Sequence, residues 1–136
     1  MNRSDERLHE LSRDESVELL QYHSFVGRLA FIVEGRPMVL PVNYVADEAG
    51  VVFCTAEGSV LSSVGDGAAV AFEVDDSRPL EHSGWSVLVQ GTARAVTDPE
   101  ELESLRRGPL RSWAAREPQV WVRIAIDAVS GRRLGG

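Results

Sequence analysis

The stretch that decides the fold runs from residue 35 to residue 44 and reads Gly-Arg-Pro-Met-Val-Leu-Pro-Val-Asn-Tyr; a second stretch, from residue 51 to residue 59, reads Val-Val-Phe-Cys-Thr-Ala-Glu-Gly-Ser. Together they predict two β-strands joined by a turn at Asp47 to Gly50, because β-branched and aromatic residues dominate both. The first strand holds Pro41 in its middle, and a proline has no N–H to donate to a sheet ladder. We therefore expect this strand to lie at an open or bulged edge of the sheet.

An open strand edge leaves backbone N–H and C=O groups available to a ligand. Asn43 adds an amide that both donates and accepts hydrogen bonds. Such an edge suits a flat heteroaromatic ring with polar atoms along one side, so a planar cofactor is the leading hypothesis. Two simpler interpretations stay open: Pro41 could only mark a solvent-exposed edge strand, and Thr55 and Ser59 could only cap a short helix that follows them.

Composition predicts one globular domain spanning residues 1–136, in a cytoplasmic protein. The chain has 136 residues, 43% of them hydrophobic, and a net charge of −7, which argues against a nucleic-acid-binding function. No apolar run is long enough to span a membrane, and the charged start does not resemble a signal peptide. Cys54 is the only cysteine, and the three histidines lack metal-ligand spacing, so we expect neither a disulfide nor a metal site.

Hydrophobic periodicity predicts six strands. Ser12 and Glu15 fit a capping box for a helix that ends near Tyr22 and buries Val17 and Leu20, and Asp98 and Pro99 begin a second helix that ends near Arg107. A further one or two helical turns are expected over residues 59–64. The first three predicted strands are 26–34, 38–46 and 51–55, and we expect them to form a three-stranded meander. The other three are one strand around 70–75, one at 85–96 and one at 120–127. Their mostly antiparallel order predicts a small closed barrel.

Several short motifs occur in one order along the chain. They are Gly27-Arg28-Leu29-Ala30-Phe31, Gly35-Arg36-Pro37, Pro41-Val42-Asn43-Tyr44, Thr55-x-x-Gly58-Ser59, Gly84-Trp85-Ser86-Val87 and Ser130-Gly131-Arg132-Arg133. This order resembles the pyridoxamine 5′-phosphate oxidase-like family of FMN-binding split barrels, from about Glu10 to Arg133. The resemblance implies a mainly β, six-stranded antiparallel Greek-key split barrel with two or three short helices. It also implies a homodimer with FMN in each of two clefts at the subunit interface.

The resemblance also implies which residues bind the cofactor. The strand from Leu40 to Tyr44 would run beside the isoalloxazine ring, the next strand would end near the ribityl chain, and the turn after it would meet the phosphate. A serine of the fifth strand would contact the ring, and a tail arginine of the partner chain, Arg132 or Arg133, would approach the cofactor. The implied cofactor-binding residues are Leu40, Pro41, Val42, Asn43, Tyr44, Cys54, Thr55, Gly58, Ser59, Val60, Ser86 and Arg132.

One position departs from the family pattern. The family usually has lysine or arginine directly after the Gly-Ser pair, whereas this chain has Val60 and Leu61. The expected phosphate cation is therefore missing from this turn. Either Arg28, Arg36 or a tail arginine compensates for it, or the cleft binds FMN weakly.

Two classes of function follow. The first is an FMN-dependent oxidoreductase that acts on an unidentified small molecule, with a deazaflavin as the alternative cofactor. Because the cofactor supplies the redox chemistry, this class needs no catalytic side-chain cluster, and the sequence offers none. The second is a non-catalytic dimeric barrel that binds FMN, haem or another planar ligand, and the departure at Val60 favours it. A purely structural dimer is a third possibility.

Overall fold

β-Strands dominate the architecture. The computed structural model describes residues 8–22, 25–110 and 118–135. Within these ranges eight strands form one antiparallel sheet, accompanied by two α-helices and two short 3₁₀ helices. In chain order these elements are β1 (Leu8–Leu11), α1 (Arg13–Tyr22), β2 (Val26–Val33), β3 (Arg36–Asn43), β4 (Val45–Asp47), β5 (Gly50–Ala56), a 3₁₀ helix (Leu61–Gly65), β6 (Asp66–Arg78), a 3₁₀ helix (Pro79–Glu81), β7 (Ser83–Ala95), α2 (Pro99–Arg107) and β8 (Gln119–Leu134).

The sheet curls into a barrel that is split between its first and last strands. Its strand order is β3-β2-β6-β7-β8-β5-β4, with β1 paired to β8. The two end strands, β3 and β4, are consecutive in the chain and are separated only by Tyr44. The predicted fold class, an antiparallel split barrel with short helices, is confirmed, although eight strands are present in the described ranges where six were predicted.

Long-range pairing accounts for the two additional strands. β1 pairs with the end of β8, from Leu8 opposite Leu134 to Leu11 opposite Gly131. The tail motif from Ser130 to Arg133 therefore belongs to a long strand. β4 arises because the predicted strand 38–46 changes its hydrogen-bonding partner at Tyr44.

The predicted three-stranded meander is wrong in one respect. β3 pairs with β2, but β5 pairs with β4 and β8 and not with β3. The change of partner falls at Tyr44, whose N–H donates to the Phe25 carbonyl at 3.1 Å before Val45 pairs with Val52. The buried Tyr44 hydroxyl donates to the Leu20 carbonyl at 2.6 Å. This side chain thus holds α1 against the barrel at the point where the sheet splits.

The core lies inside the barrel and follows the predicted period of two. The inward-facing residues Val70, Phe72, Val74, Val87, Val89, Val122 and Ile124 are all buried. Both predicted helix starts are confirmed: the Glu15 N–H donates to Ser12 Oγ at 3.1 Å, and the Glu101 N–H donates to Asp98 Oδ2 at 3.0 Å. In α1, Leu19 and Leu20 are buried, whereas Val17, which was predicted to be buried, is only half-buried.

A second apolar cluster lies outside the barrel, where α2 covers β5 and β8. Its buried members are Val52, Cys54, Leu110 and Trp121. Arg123 fixes α2 over this surface, because its guanidinium donates to Asp47 Oδ1 at 2.8 Å and to Glu101 Oε1 at 2.9 Å. Neither α1 nor α2, the two α-helices of the described ranges, has the length and apolar character needed to cross a bilayer.

Replacing Tyr44 with phenylalanine should lower the free energy of unfolding by about 1–3 kcal/mol, because the buried Leu20 carbonyl loses its donor. Chemical denaturation measures this change. Tyr22→Phe is the matched control, since Tyr22 is 72% exposed and the same loss of a hydroxyl there should change stability by no more than about 0.5 kcal/mol. Equal effects of the two substitutions would contradict the structural role assigned to Tyr44.

Candidate functional site

The strand that carries Pro41 lies at the edge of the sheet, as its proline predicts. Pro41 is opposite Arg28 of β2, and no other described strand pairs with the second side of β3. The end of β3 contacts β5 where the chain passes through Tyr44 into β4. The open edge of β3 and the last residues of β5 are therefore neighbours.

The five predicted residues of this strand divide between the two faces of the sheet. Met38, Leu40 and Val42 face the core, and Tyr44 after them is also buried. Pro41 and Asn43 alternate with them and lie on the outer face. Leu40, Val42 and Tyr44 can therefore meet a ligand only through their backbone groups.

Ser86 and Arg132 share this outer face with Asn43. Val26 is opposite Asn43, Asp75 is opposite Ser86, and Ser86 is opposite Arg132. Arg28 is opposite Glu73 in an antiparallel pair of strands. Val26, two residues before Arg28, is therefore level with Asp75, two residues after Glu73. Asn43 and Ser86 thus lie in one row but three strands apart, which is about 14 Å. One chain does not bring these two side chains into contact.

The turn after β5 is rich in hydroxyl and amide groups. Thr55 is buried, and its Oγ1 lies 2.8 Å from Ser59 Oγ, which also accepts from the Ser62 N–H at 3.2 Å. Gly58 has a φ of +80° and open space where a side chain would stand. In the described part of the chain the N–H groups of Gly58, Val60 and Leu61 donate to no carbonyl. This turn offers neutral donors to an anion.

Cys54 lies on the opposite face of β5 from Thr55. Its side chain is buried with Trp121 and Leu110 in the cluster outside the barrel. This location fits a small buried hydrophobic residue. Any contact of Cys54 with a ligand would have to come from its backbone.

The arginines proposed to replace the missing phosphate cation do not lie beside this turn. Arg28 is held by two carboxylates, and Arg36 lies at the opposite end of β3 from Asn43. β8 pairs with Thr55 at Val120 but with Ser86 at Arg132, so the tail arginines are at the other end of this long strand. Within one chain the predicted site therefore forms two separate groups. The first group comprises Pro41, Asn43, Thr55, Gly58, Ser59 and Val60, and the second comprises Ser86 and Arg132.

A charged cluster that the sequence analysis missed lies on the outer face between the two groups. Arg28 Nη1 is 2.8 Å from Glu73 Oε1 and 2.8 Å from Asp75 Oδ2. Burial and the neighbouring Asp75 carboxyl raise the pKa of Glu73 to about 7, although the Arg28 guanidinium opposes this shift. The alternation of residues along β6 predicts that the Glu73 and Asp75 carboxylates share a face. No local sequence pattern predicts that Arg28 pairs with them.

This cluster forms one side of a shallow groove of about 380 Å³. Ala30, Val39, Ala71 and Leu88 supply its apolar lining. Val39 and Leu88 are exposed. The groove combines apolar surface with one carboxyl that can exchange a proton near neutral pH.

The residues present fit a planar ligand that carries a phosphate. The open edge of β3 supplies backbone donors and acceptors for a ring, and the turn at Gly58 supplies free N–H groups and space for an anion. Among the described residues, no three of His, Cys, Asp or Glu are placed to hold a metal ion.

The Glu73 carboxyl should make stability depend on pH. Its pKa rises from 4.5 to about 7 in the folded protein, so between these values the folded state keeps a proton that the unfolded chain releases. Stability should therefore fall as pH rises through this window. Glu73→Gln should remove that part of the slope, measured by denaturation at several pH values. The control is Glu48→Gln, in the exposed turn between β4 and β5, which should keep the wild-type dependence of stability on pH. If Glu73→Gln also keeps the wild-type dependence, the pH dependence does not come from the Glu73 carboxyl.

Comparisons with known proteins place the chain among its relatives. A model of the family described as pyridoxamine 5′-phosphate oxidase matches residues 12–133. The uncharacterized protein Rv0080 of Mycobacterium tuberculosis is 36% identical over 130 residues, which cover 92% of this chain and 84% of that protein.

Two solved structures with similar folds are named as FAD-binding proteins. That of Mycobacterium smegmatis has a TM-score of 0.79 and 35% identity, over 93% of this chain and 99% of that one. That of Mesorhizobium loti has a TM-score of 0.78 and 26% identity, over 95% of this chain and 98% of that one. Because the family match spans nearly the whole sequence and the fold agrees over the same length, the chain belongs to the pyridoxamine 5′-phosphate oxidase-like family.

Proposed function

We propose that this protein is a flavin-dependent oxidoreductase that acts on a small molecule. The observation that carries the proposal is the 35% identity with the FAD-binding protein of Mycobacterium smegmatis, over nearly the full length of both chains. FMN, the cofactor expected from the family resemblance, and FAD share the isoalloxazine ring, the ribityl chain and the first phosphate. The residues that bind this common part can therefore be assigned to either flavin.

The first group of site residues would hold the common part of the flavin. The backbone edge of β3 and the Asn43 amide match the polar pyrimidine edge of the ring. Thr55, with the backbone of Cys54, lies where the ribityl chain would follow. The N–H groups of Gly58 and Val60, which donate to no carbonyl within the described ranges, and the hydroxyl of Ser59 suit the phosphate. Hydrogen bonds to a charged acceptor are the stronger class, which offsets in part the missing lysine or arginine.

A homodimer would bring the second group to the first. Ser86 and Arg132 lie on the same outer face as Asn43 but three and four strands away from it in one chain. A second copy packed on this face would place its own Ser86 and Arg132 against the flavin of the first. The exposed apolar residues of the face, Ile32 at 62%, Val39 at 60% and Leu88 at 39%, support such an interface, because a free monomer would leave them in water.

The division of labour in the reaction is simple. A bound flavin supplies the electron or hydride transfer, and the protein orients it and excludes water. The apolar groove beside Arg28 lies on the face that the second copy would cover, so it would take the substrate between the two copies. Glu73, whose pKa of about 7 allows either protonation state near neutrality, would hold or release a proton at its carboxyl oxygen.

A non-catalytic flavin-binding barrel is the second candidate. Val60 favours it, because the chain lacks the basic residue that usually follows the Gly-Ser pair. Absorbance of the purified or reconstituted protein tests flavin binding, with FMN, FAD and a deazaflavin titrated in parallel. Reduction by a nicotinamide donor followed by reoxidation with small-molecule acceptors separates an enzyme from a binding protein. A colourless protein with no affinity for any flavin would contradict both candidates.

The phosphate location can be tested at Val60. If the phosphate lies at Gly58 and Ser59, Val60→Lys should tighten FMN binding, because a charge-assisted hydrogen bond contributes roughly 1.5–3 kcal/mol when it is shielded from water. Val60 is 39% exposed, so we expect the lower end of this range. Titration calorimetry measures the gain.

Riboflavin, which lacks the phosphate, is the control ligand and should gain almost nothing from Val60→Lys. An equal gain for riboflavin and FMN, or no gain for FMN, would show that the phosphate binds elsewhere.

A further inference from the structure

A pocket of about 510 Å³ lies beneath α1, at the end of the barrel where β6, β7 and β8 meet. Glu18 and Leu19 of α1 line one side of it, and Asp76, Trp85 and Arg133 of the three strands line the other. Its volume falls within the range of about 300–1,000 Å³ that is usual for small-molecule sites. None of the residues in the two groups of the candidate cofactor site lines it. The pocket therefore has room for a separate ligand.

Three side chains form a row across the strands that floor this pocket. Asp76 of β6 is opposite Trp85 of β7, and Trp85 is opposite Arg133 of β8. Directly opposite residues of antiparallel strands share a face and have Cβ atoms about 5 Å apart. Trp85 precedes the buried Val87 by two residues, so the row continues the face that forms the barrel core. Trp85 thus lies between a carboxylate on one side and a guanidinium on the other.

Gly131 shows that the same face of β8 meets α1. A Cβ atom at Gly131 would clash with the Ser16 hydroxyl of α1, so the absence of a side chain lets the helix approach the strand. Arg133 follows Gly131 by two residues and therefore faces the same side. Arg132, between them, faces the outer surface, where it is opposite Ser86. The pocket and the second group of cofactor residues thus lie on opposite faces of the sheet.

The charged side chains of the pocket do not neutralise one another. Within the described ranges, Arg133 and Glu18 form no salt bridge, although both line the pocket. Asp76 reaches a basic group, Arg78, only at 4.0 Å. The other carboxylate near Arg78 is that of Glu81, at 3.8 Å. Charges of both signs are therefore available to a ligand in the pocket.

This combination of charges suits a zwitterion better than a simple anion or cation. A purely anionic ligand would bring its charge beside Glu18 and Asp76, and a purely cationic ligand would bring its charge beside Arg78 and Arg133. Glu15 adds no further carboxylate for a ligand, because its Oε1 accepts from a backbone N–H in the helix cap at 3.0 Å. A molecule with one ammonium and one carboxylate can satisfy both kinds of group.

We propose that the pocket beneath α1 binds a zwitterionic amino acid that has an apolar side chain. Arg133 holds the carboxylate of this ligand, and Asp76 and Glu18 hold its ammonium group. Trp85 and Leu19 contact its side chain. Because the pocket lies on the opposite face from the candidate cofactor residues, this site is distinct from the proposed flavin site.

Calorimetric titration of the full-length protein with three matched ligands tests the proposal. L-Phenylalanine carries both charges, 2-phenylethylamine lacks the carboxylate, and 3-phenylpropanoate lacks the ammonium. We expect L-phenylalanine to bind at least tenfold more tightly than either analogue, because each analogue leaves one kind of charged group in the pocket without a partner. L-Leucine, which has another apolar side chain, should bind as well.

The other outcomes of this titration would overturn the proposal. Equal affinity for 2-phenylethylamine and L-phenylalanine would show a site for cations, and equal affinity for 3-phenylpropanoate and L-phenylalanine would show a site for anions. If neither L-phenylalanine nor L-leucine binds at millimolar concentration, the pocket is not an amino-acid site.

Substitutions of the row identify which side chain holds which charge. Arg133→Gln should weaken L-phenylalanine at least fivefold without weakening 2-phenylethylamine, which has no carboxylate to lose a partner. Asp76→Asn should weaken L-phenylalanine without weakening 3-phenylpropanoate. Both residues are exposed, so these substitutions leave the core intact. Arg106→Gln on α2 and Asp66→Asn at the far end of β6 remove the same charges from exposed positions and should change no affinity. An equal loss for L-phenylalanine and the analogue in Arg133→Gln and in Asp76→Asn would overturn the proposal.

Discussion

The hydrogen bond from the Tyr44 hydroxyl to the Leu20 carbonyl fixes the point on which the rest of this structure depends. Before Tyr44 the chain pairs with β2, and after it the chain pairs with β5. The aromatic ring is held in the core with its centroid 4.8 Å from that of Phe72, so this change of partner cannot move along the chain. It leaves one side of β3 open and sets that open edge beside β5. The same hydrogen bond joins α1 to the barrel, and α1 forms one wall of the pocket beneath it.

The second constraint is the length of β7 and β8. These two strands pair from Gly84 and Leu134 at one end to Ala95 and Val122 at the other, with Ser86 and Arg132 near the first end. Thr55 of β5 pairs with Val120 of β8, beyond the second end. In one chain the turn that follows Thr55 therefore lies at the opposite end of β8 from Ser86 and Arg132. We propose that a second copy completes the site, because the first group offers neutral amide and hydroxyl donors and the second group offers the cation Arg132.

Sequence patterns predicted what depends on local structure. Ser12 and Asp98 identified both helix starts, the alternation from Val70 to Val74 identified a core strand, and Pro41 identified an edge strand. Pairing between distant segments was not predictable in this way. The last strand was predicted to end at residue 127, but it continues to Leu134 because its end pairs with both β1 and β7. Likewise, the Glu73 carboxylate pairs with a cation, Arg28, on another strand.

The candidate site shows the same limit at the level of single residues. The whole stretch from Leu40 to Tyr44 was predicted to bind the cofactor. The pleat of the strand, however, turns Leu40, Val42 and Tyr44 into the core and leaves Pro41 and Asn43 outside. The family pattern supplied Ser86 and Arg132, whose position on the face of Asn43 becomes apparent only from the strand register. The pocket beneath α1 has no sequence signal, because it is formed by four separate elements.

The central claim is that each flavin site combines residues of two chains. If the claim holds, Asn43→Ala and Arg132→Ala should each weaken both sites of a homodimer. Co-expression of the two variants tests the claim most directly. In a mixed dimer one site carries both substitutions and the other carries neither. We predict that the co-expressed mixture regains wild-type flavin affinity at roughly a quarter of its sites, since about half of its dimers are mixed. If the mixture contains mixed dimers but no site of wild-type affinity, each site is built from a single chain and the claim is wrong.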